Sequence, residues 1–508
     1  MTNGLAGVSG RARPRAARLA LLALVTLIAG AVSVLGFAPL SLFPVSFIGI
    51  SVLAWCVTTA TRPRDAALAG FAFGLGLFTC GIGWIYVALH TFGAMPAWLA
   101  APVTLVFAGY LALFPALAAG VAARFPATVR WLAFPAAWAL SEWLRGWLFT
   151  GFPWLSIGYS QVSVASPFSG FAPVLGVFGV SFATVLAGSA LTLLIEPARR
   201  RFALAGVAVL VAAGYGIGAI PWTSPLGAPL DVTLVQGNIA QDMKFREDTL
   251  IRTLVTYEEA VAKATTPLVI LPETALPLFL HELPAEYLAR LRQHAIRRGG
   301  DVIFGVFENA PRGSDGVFNA VTSLGISPSQ GYRKHHLVPF GEFIPLKAML
   351  APVINDWLHI PLSDQTRGEA RQPPLSVAGQ KIAINICYED VFGEEIVRPL
   401  PDATLLANVT NDAWYGESWA AEQHMQISQM RARESGRWML RATNTGKTAV
   451  IDERGQVRAS LPQFREDALV ASVQGMTGAT PYVMAGNAPV MLIAAAVLGA
   501  LRWRMRRP

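Results

Sequence analysis

Three residues in the second half of the chain have the types needed for acyl chemistry through a thiol. Cys387 ends an alternating segment, Lys381–Cys387, that reads as a strand; Tyr388, Glu389 and Asp390 follow, then a short helix near Glu394–Val397. A thiol at such a junction faces helix N-terminal amides, which favour the thiolate, and is open to substrate at a sheet edge. A lone Cys taken by itself more often reads as a buried structural thiol. Glu273 ends the apolar run Leu268–Pro272. A carboxylate there is partly desolvated, which raises its pKa toward that of a useful base. A helix cap or a surface acid fits the same position. Lys334 offers a fixed cation where a carbonyl oxygen gains charge, and it would lower a nearby thiol pKa. Arg333, His335 and His336 beside it also fit a solvated charge cluster.

These residues sit in a polar half that apolar segments flank. The chain has 508 residues, 53% hydrophobic and 14% charged, and its mean hydropathy is +0.46. Soluble domains carry about a quarter charged residues, so the composition reads as a membrane protein. The net charge is +8. Arg11, Arg13, Arg15 and Arg18 precede the first apolar run, and Arg502, Arg504, Arg506 and Arg507 follow the last. Basic clusters that abut apolar helices argue against nucleic acid as the partner.

Residues 1–222 read as an N-terminal bundle, 228–478 as a polar domain, and 481–508 as a last helix with a basic tail. Runs of roughly 20 residues can cross a bilayer. Eight are expected, over 16–36, 40–60, 67–89, 97–122, 130–149, 168–195, 202–221 and 481–503. With the N-terminus in the cytoplasm, the loops carrying Arg62 and Arg64, Arg124 and Arg130, and Arg199–Arg201 all fall on the cytoplasmic side. Seven crossings then place the polar domain outside the cytoplasm. A cleaved signal peptide at the first run would not change that side. A free thiol there oxidises readily and needs a use, which favours the reactive reading of Cys387. Cys56 and Cys80, inside apolar runs, read as small core residues, and no Cys/His metal spacing is present.

Within the polar domain, strands are expected at Val232–Gln236, Leu268–Leu271, Val302–Phe307, Ala320–Leu324 and Leu405–Val409, with a hairpin over Lys447–Val457. Met243, Leu250, Leu254, Tyr257 and Val261 share one helix face, and Tyr287–Arg297 reads as a second helix. The alternation indicates an α/β domain with sheets covered by helices.

The segments LPETALP (Leu271–Pro277), YRKHHLVPFGE (Tyr332–Glu342) and ICYED (Ile386–Asp390) resemble the Glu-Lys-Cys motifs of the nitrilase (carbon-nitrogen hydrolase) superfamily. NVTNDAWYG (Asn408–Gly416), QGNIAQ (Gln236–Gln241), RATNTGKTAVID (Arg441–Asp452), GIGWIYVALHTFG (Gly81–Gly93) and Ser141–Gln161 extend the likeness to its membrane-anchored branch, the apolipoprotein N-acyltransferase family. The resemblance implies an αββα sandwich on a polytopic helical bundle. It implies Glu273 as general base, Lys334 as oxyanion stabiliser and Cys387 as nucleophile. Glu342 is implied as a supporting carboxylate, with Tyr388, Glu389, Trp414 and Tyr415 near the site. Phe245 stands where that family often has Trp, and His335 where it often has Arg or Asn.

The implied reaction moves an acyl chain from a glycerophospholipid to the α-amine of a diacylglyceryl-cysteine on a lipoprotein. It runs through a thioester with ping-pong kinetics. No cofactor or metal is implied. The implied setting is the bacterial inner membrane, with a monomeric enzyme whose catalytic domain faces the periplasm. A membrane-tethered amidase shares the triad but needs water as the second nucleophile, and a transporter leaves the triad unexplained. The apolar residues of Phe343–Ile360 read as a lipid-contacting lid or as a buried helix pair. Glu142 and Arg145, three apart on a spanning segment, read as an ion pair holding the bundle or as a headgroup contact.

Overall fold

The architecture comes from a computed structural model that describes residues 12–241, 243–244, 246–310, 316–345 and 364–506. Most of the expected lid, residues 346–360, and the aromatic at 245 lie outside them.

Each of the eight expected spans overlaps a helix: Ala12–Ser33, Phe43–Thr59, Pro63–Gly81, Ala97–Ala122, Arg130–Arg145, Ala172–Leu191, Pro197–Ala219 and Ala488–Arg504. Among the described residues only four are long and apolar enough to cross a membrane, at Arg15–Gly36, Ala97–Ala122, Pro167–Ile195 and Pro197–Ala219. Pro63–Gly81 with Trp84–Phe92, bent by 50°, makes a fifth if the pair counts as one span. By length and composition the expected count of eight is therefore not confirmed. The shortfall is one of length. Phe43–Thr59 and Ala488–Arg504 have 17 residues each and Arg130–Arg145 has 16, about 25 Å against a hydrocarbon core of about 30 Å.

Small residues let the bundle helices approach closely. A Cβ on Gly70 would lie 2.4 Å from the Pro115 carbonyl oxygen, a contact only glycine permits. Glu142 and Arg145 are both buried and their charges act on each other, but among the described residues no direct salt bridge joins them, so the expected contact pair is not formed. Each instead binds the loop that follows. Glu142 accepts from the Ile157 amide at 2.8 Å. Arg145 donates to the Phe152 and Trp154 carbonyls at 2.8 and 2.6 Å and to Ser156 at 3.0 Å. Cys56 is buried as expected, but Cys80 lies on the exterior of the bundle. An apolar solvent imposes no cost on a small thiol facing outward.

The polar half forms two six-stranded sheets. With strands numbered along the chain, one has the order β13 (Asp467–Val473), β2 (Leu230–Gln236), β3 (Leu268–Ile270), β4 (Asp301–Asn309), β5 (Val317–Gly325), β6 (Gly331–Arg333), and the other β12 (Val457–Ser460), β11 (Ala449–Ile451), β10 (Met439–Thr443), β9 (Leu405–Thr410), β8 (Gln380–Ile386), β7 (Leu375–Val377). β2, β3 and β4 run parallel, as do β8, β9 and β10. Their side chains interdigitate face to face, Val232, Leu268 and Ile303 meeting Ile384, Leu405 and Leu440. Helices Glu247–Lys263 and Ala285–Arg297 cover the first sheet. The helix Ala420–Ser435 covers the second. The result is the αββα sandwich of a nitrilase-like domain.

The strand expectations hold within a few residues, but the first helix is turned. It starts at Glu247, after Met243, and buries Thr249, Thr253, Tyr257 and Val261. Its Leu250 and Leu254 are only half-buried.

The helix Ala420–Ser435 joins the two halves. Gln423 accepts from the indole N–H of Trp84 at 3.1 Å and of Trp154 at 2.7 Å, and it donates to the Gly81 carbonyl at 3.0 Å. Gln426 accepts from Ala38 N at 3.1 Å, and Arg433 donates to the Ser169 carbonyl at 2.8 Å. Glu434 accepts from Val177 N at 2.6 Å. Where the chain leaves the bundle and where it returns, β1 (Thr223–Pro225) and β14 (Met476–Gly478) pair antiparallel.

Candidate active site

The candidate residues follow the ends of strands. Glu273 lies just beyond β3, Lys334 beyond β6 and Cys387 beyond β8. Parallel strands deliver their following loops to one end of a sheet, where substrate sites in open α/β folds form.

Glu273 sits in a sharp turn whose next residue, Thr274, has φ +44°. Gly305 of β4 packs under this turn; a Cβ there would lie 2.3 Å from Thr274 N. The Glu273 carboxylate accepts from Asn319 Nδ2 of β5 at 2.7 Å and lies 3.4 Å from Lys334 Nζ. Lys334 is fully buried and makes a closer contact, 2.7 Å, with Glu342 Oε1. Glu342 is fixed in turn by Val338 N on Oε2, at 2.8 Å. Burial opposes the ammonium form of Lys334, but the carboxylates of Glu342 and Glu273 outweigh it and raise its pKa well above the ordinary lysine value. Lys334 is thus a permanent cation between two acids.

Cys387 is buried and has φ +53°, a left-handed conformation that costs a residue with a Cβ about 1–3 kcal/mol. Its thiol feels both partners. Burial raises its pKa well above the ordinary value, the Glu273 charge adds to that, and Lys334 acts against it. The sequence expectation of an exposed, acidified thiol is therefore corrected. Desolvation by burial exceeds the pull of the cation, which favours the neutral thiol.

Glu389 fastens the two loops together. One oxygen accepts from Ile386 N at 2.7 Å, beside the cysteine. The other accepts from His335 N at 2.7 Å, His336 N at 3.1 Å and Tyr332 OH at 2.9 Å, beside the lysine. Tyr388 points to the bundle and donates to the Gly151 carbonyl at 3.0 Å. Tyr415 stacks edge-on against Trp84 at 4.6 Å, and its phenol is raised well above its ordinary pKa, chiefly by burial. Trp414 stands apart from this group, 44% exposed, with its ring on Phe92 of the bundle.

Glu273, Lys334, Cys387, Glu342 and Glu389 therefore converge, while Tyr388, Tyr415 and Trp414 line the junction with the bundle. Sequence reasoning missed Asn319, which orients Glu273. It also missed Lys244, a buried amine that donates to the Glu273 carbonyl oxygen at 3.2 Å and to the Thr274 hydroxyl at 2.5 Å. Burial lowers the Lys244 pKa to about 8 against the charges of Glu273 and Cys387. Nothing in the pattern of types marks either residue. The matched segments Asn408–Gly416 and Arg441–Asp452 did contain a signal: their Asp412 and Arg441 form part of a buried charge cluster behind Cys387. Among the described residues no group of His, Cys, Asp and Glu could hold a metal ion.

Comparison with known proteins agrees with this architecture in both halves. The family described as apolipoprotein N-acyltransferase N-terminal domain matches residues 29–190, and the carbon-nitrogen hydrolase family matches residues 231–482. The apolipoprotein N-acyltransferase of Nitrosomonas europaea is 49% identical over 467 residues, covering 91% of this chain and 93% of that protein. Those of Chromobacterium violaceum and Ralstonia nicotianae are 44% and 45% identical and cover 96% and 97% of this chain and 95% of each relative. The chain belongs to the apolipoprotein N-acyltransferase family.

Proposed function

We propose that this membrane-embedded enzyme transfers a fatty acyl chain from a glycerophospholipid to the N-terminal α-amine of a diacylglyceryl-cysteine on a lipoprotein, through a thioester on Cys387. The observation that carries the reading is the buried Glu273–Lys334–Glu342 chain acting on the Cys387 thiol, in a domain built onto an apolar bundle.

In the first half-reaction Glu273 takes the thiol proton as sulfur attacks the ester carbonyl carbon. Charge collects on the carbonyl oxygen, where Lys334 and a backbone N–H stabilise it. The C–O bond breaks, and the lysophospholipid leaves with the proton from Glu273. In the second, the lipoprotein amine attacks the thioester carbonyl, Glu273 takes a proton from the amine, the C–S bond breaks and the thiol is restored. Glu342 keeps Lys334 charged and oriented. Glu389 holds the cysteine and lysine loops in register, while Tyr388, Trp414 and Tyr415 border the path from the bundle. The raised thiol pKa suits this scheme, because a neutral resting thiol resists oxidation and becomes nucleophilic only as Glu273 removes its proton.

The anchor has a physical reason. Drawing an acyl chain into water costs about 0.8 kcal/mol per CH₂, so both lipid substrates are best met at the bilayer. The arginine distribution supports eight crossings, a cytoplasmic N-terminus, and a sandwich over 228–478 on the periplasmic side of the inner membrane, between a bundle over 1–222 and a last helix over 481–508. The phospholipid and the lipoprotein are the partners, and the enzyme acts as a monomer. Hydrolysis of a small amide fits less well, since the relatives carry the acyltransferase name over nearly their full length.

Replacement of Cys387 by Ala tests the reading. N-acylation of a diacylglyceryl lipopeptide should fall to background, and a fully active variant would remove Cys387 from the chemistry.

A further inference from the structure

Behind the nucleophile turn lies a buried charge cluster that the mechanism above does not use. His424, on the helix Ala420–Ser435, is 1% exposed. Its Nδ1 is 2.8 Å from Asp412 Oδ1, and its Nε2 is 2.8 Å from Asp390 Oδ1 and 3.2 Å from the Cys387 carbonyl oxygen. All three partners are acceptors when the carboxylates are ionised. A neutral imidazole has one N–H to give, so donation from both ring nitrogens requires the imidazolium.

The surroundings support that charge. Arg441 lies 2.9 Å from Asp412 Oδ2 and 3.4 Å from Asp390 Oδ2, so two cations face two carboxylates. Burial and Arg441 act against protonation of His424, but Asp390 and Asp412 outweigh them and raise its pKa to about 9. His424 and Arg441 hold Asp412 down to about 2 against its burial. Ser428 bonds Asp390 and Arg441, and the Trp154 ring lies 5.5 Å from the imidazole.

Cys387 needs an outside hold. Its left-handed backbone is unfavourable, and its carbonyl has two side-chain donors, Asn408 Nδ2 at 3.1 Å and His424 Nε2. In a trans peptide the C=O and the following N–H point in opposite directions. Anchoring the Cys387 carbonyl on the cluster therefore turns the Tyr388 N–H away from it.

We propose that His424 is a positioning residue for acyl transfer: its imidazolium, clamped between Asp390 and Asp412, holds the Cys387 carbonyl and fixes the turn that presents the thiol and the Tyr388 N–H to the substrate carbonyl. The inference rests on Cys387 being the acylated nucleophile.

The test compares the full-length wild type with H424Q and H424N in detergent with a defined diacyl glycerophospholipid. The single-turnover rate of Cys387 acylation is read by intact mass at several lipid concentrations, beside the melting temperature. Gln places its NH₂ near the Nε2 position and keeps a donor for the Cys387 carbonyl. Asn reaches only the Nδ1 position and keeps a donor for Asp412. H424Q should acylate within about tenfold of the wild type, the cost of roughly one hydrogen bond. H424N should be slower by about 100-fold, as expected for a misplaced reacting group, with half-saturating lipid unchanged. Equal slowing of the two variants, or wild-type rates in both, overturns the proposal. Should either variant fail to fold, the nuclear magnetic resonance spectrum of isotope-labelled histidine in the wild type decides: both His424 ring nitrogens must be protonated near neutral pH, and a neutral tautomer overturns the proposal. A wild type that never acylates Cys387 refutes the nucleophile assignment instead.

Discussion

Glu389→Gln changes one atom and should be felt on both sides of the site. The carboxylate serves four donors: Ile386 N on one oxygen, and His335 N, His336 N and Tyr332 OH on the other. With its amide oxygen facing the three, Gln keeps those bonds but turns an NH₂ toward the Ile386 N–H. The flipped amide loses three bonds instead, so the first orientation wins. It leaves a buried donor unsatisfied, at about 1–3 kcal/mol, and weakens three bonds that had a charged acceptor. Part of this is offset, because burial already pushes the Glu389 carboxyl up to about 7 and Gln removes a desolvated charge. The balance is a loss of about 2 kcal/mol, or about 4–8 °C in melting temperature for a domain of this size. The kinetic effect should be larger. Ile386 precedes Cys387, the proposed nucleophile, and His335 follows Lys334, the proposed oxyanion cation, and a shift of about 1 Å between reacting groups costs about 100-fold. Melting curves and the rate of Cys387 acylation measure the two effects. A variant that melts like the wild type and acylates within about twofold of it would refute the idea that Glu389 sets the spacing of the two loops.

Stability should depend on pH through the cluster behind Cys387. Asp412, held down to about 2, contributes fully above its ordinary value of 3.8 and loses that contribution as pH falls toward 2. His424, raised to about 9, contributes fully below its ordinary value of 6.5 and loses it as pH rises through 9. Melting temperature should therefore be flat from about pH 4 to about 6.5 and decline on both sides, each group being worth about 2–3 kcal/mol; an unchanged profile in D412N would contradict this. Gly305→Ala forces a Cβ against Thr274 N, so acylation should fall by about 100-fold while circular dichroism stays native. Tyr388→Phe leaves the Gly151 carbonyl without its donor, and the melting temperature should drop by an amount equivalent to about 1–3 kcal/mol.

What the sequence made legible follows from how each feature is encoded. Alternation over Lys381–Cys387 and the apolar run before Glu273 placed both residues at strand ends, because a strand's period of two is a local property. Glu342 and Glu389 came from motif likeness and take up their places in the site. The electrostatic state of Cys387 was not legible, since its thiol pKa is decided by burial that only the assembled sandwich creates. The helix Ala420–Ser435 was missed for a related reason. Its Gln423, His424, Gln426, Arg431 and Glu434 look solvent-exposed by type, yet all are buried between the sandwich and the bundle. Lys244 and Asn319 are polar residues at positions whose partners lie about 30 to 50 residues away. Glu142 and Arg145 make no direct contact because Arg145 donates to carbonyls of the following loop and one Glu142 oxygen accepts from its Ile157 N–H, backbone groups invisible to a reading of side-chain types.

The proposed reaction stands on a covalent acyl-enzyme at Cys387, which intact-mass spectrometry detects after incubation with a phospholipid of defined acyl chains. The enzyme should gain a mass equal to one acyl group less a proton, mapped to Cys387, absent in C387A, and discharged when a diacylglyceryl lipopeptide amine is added. Turnover of lipopeptide with no acyl adduct on Cys387, even when the amine is withheld, would contradict it.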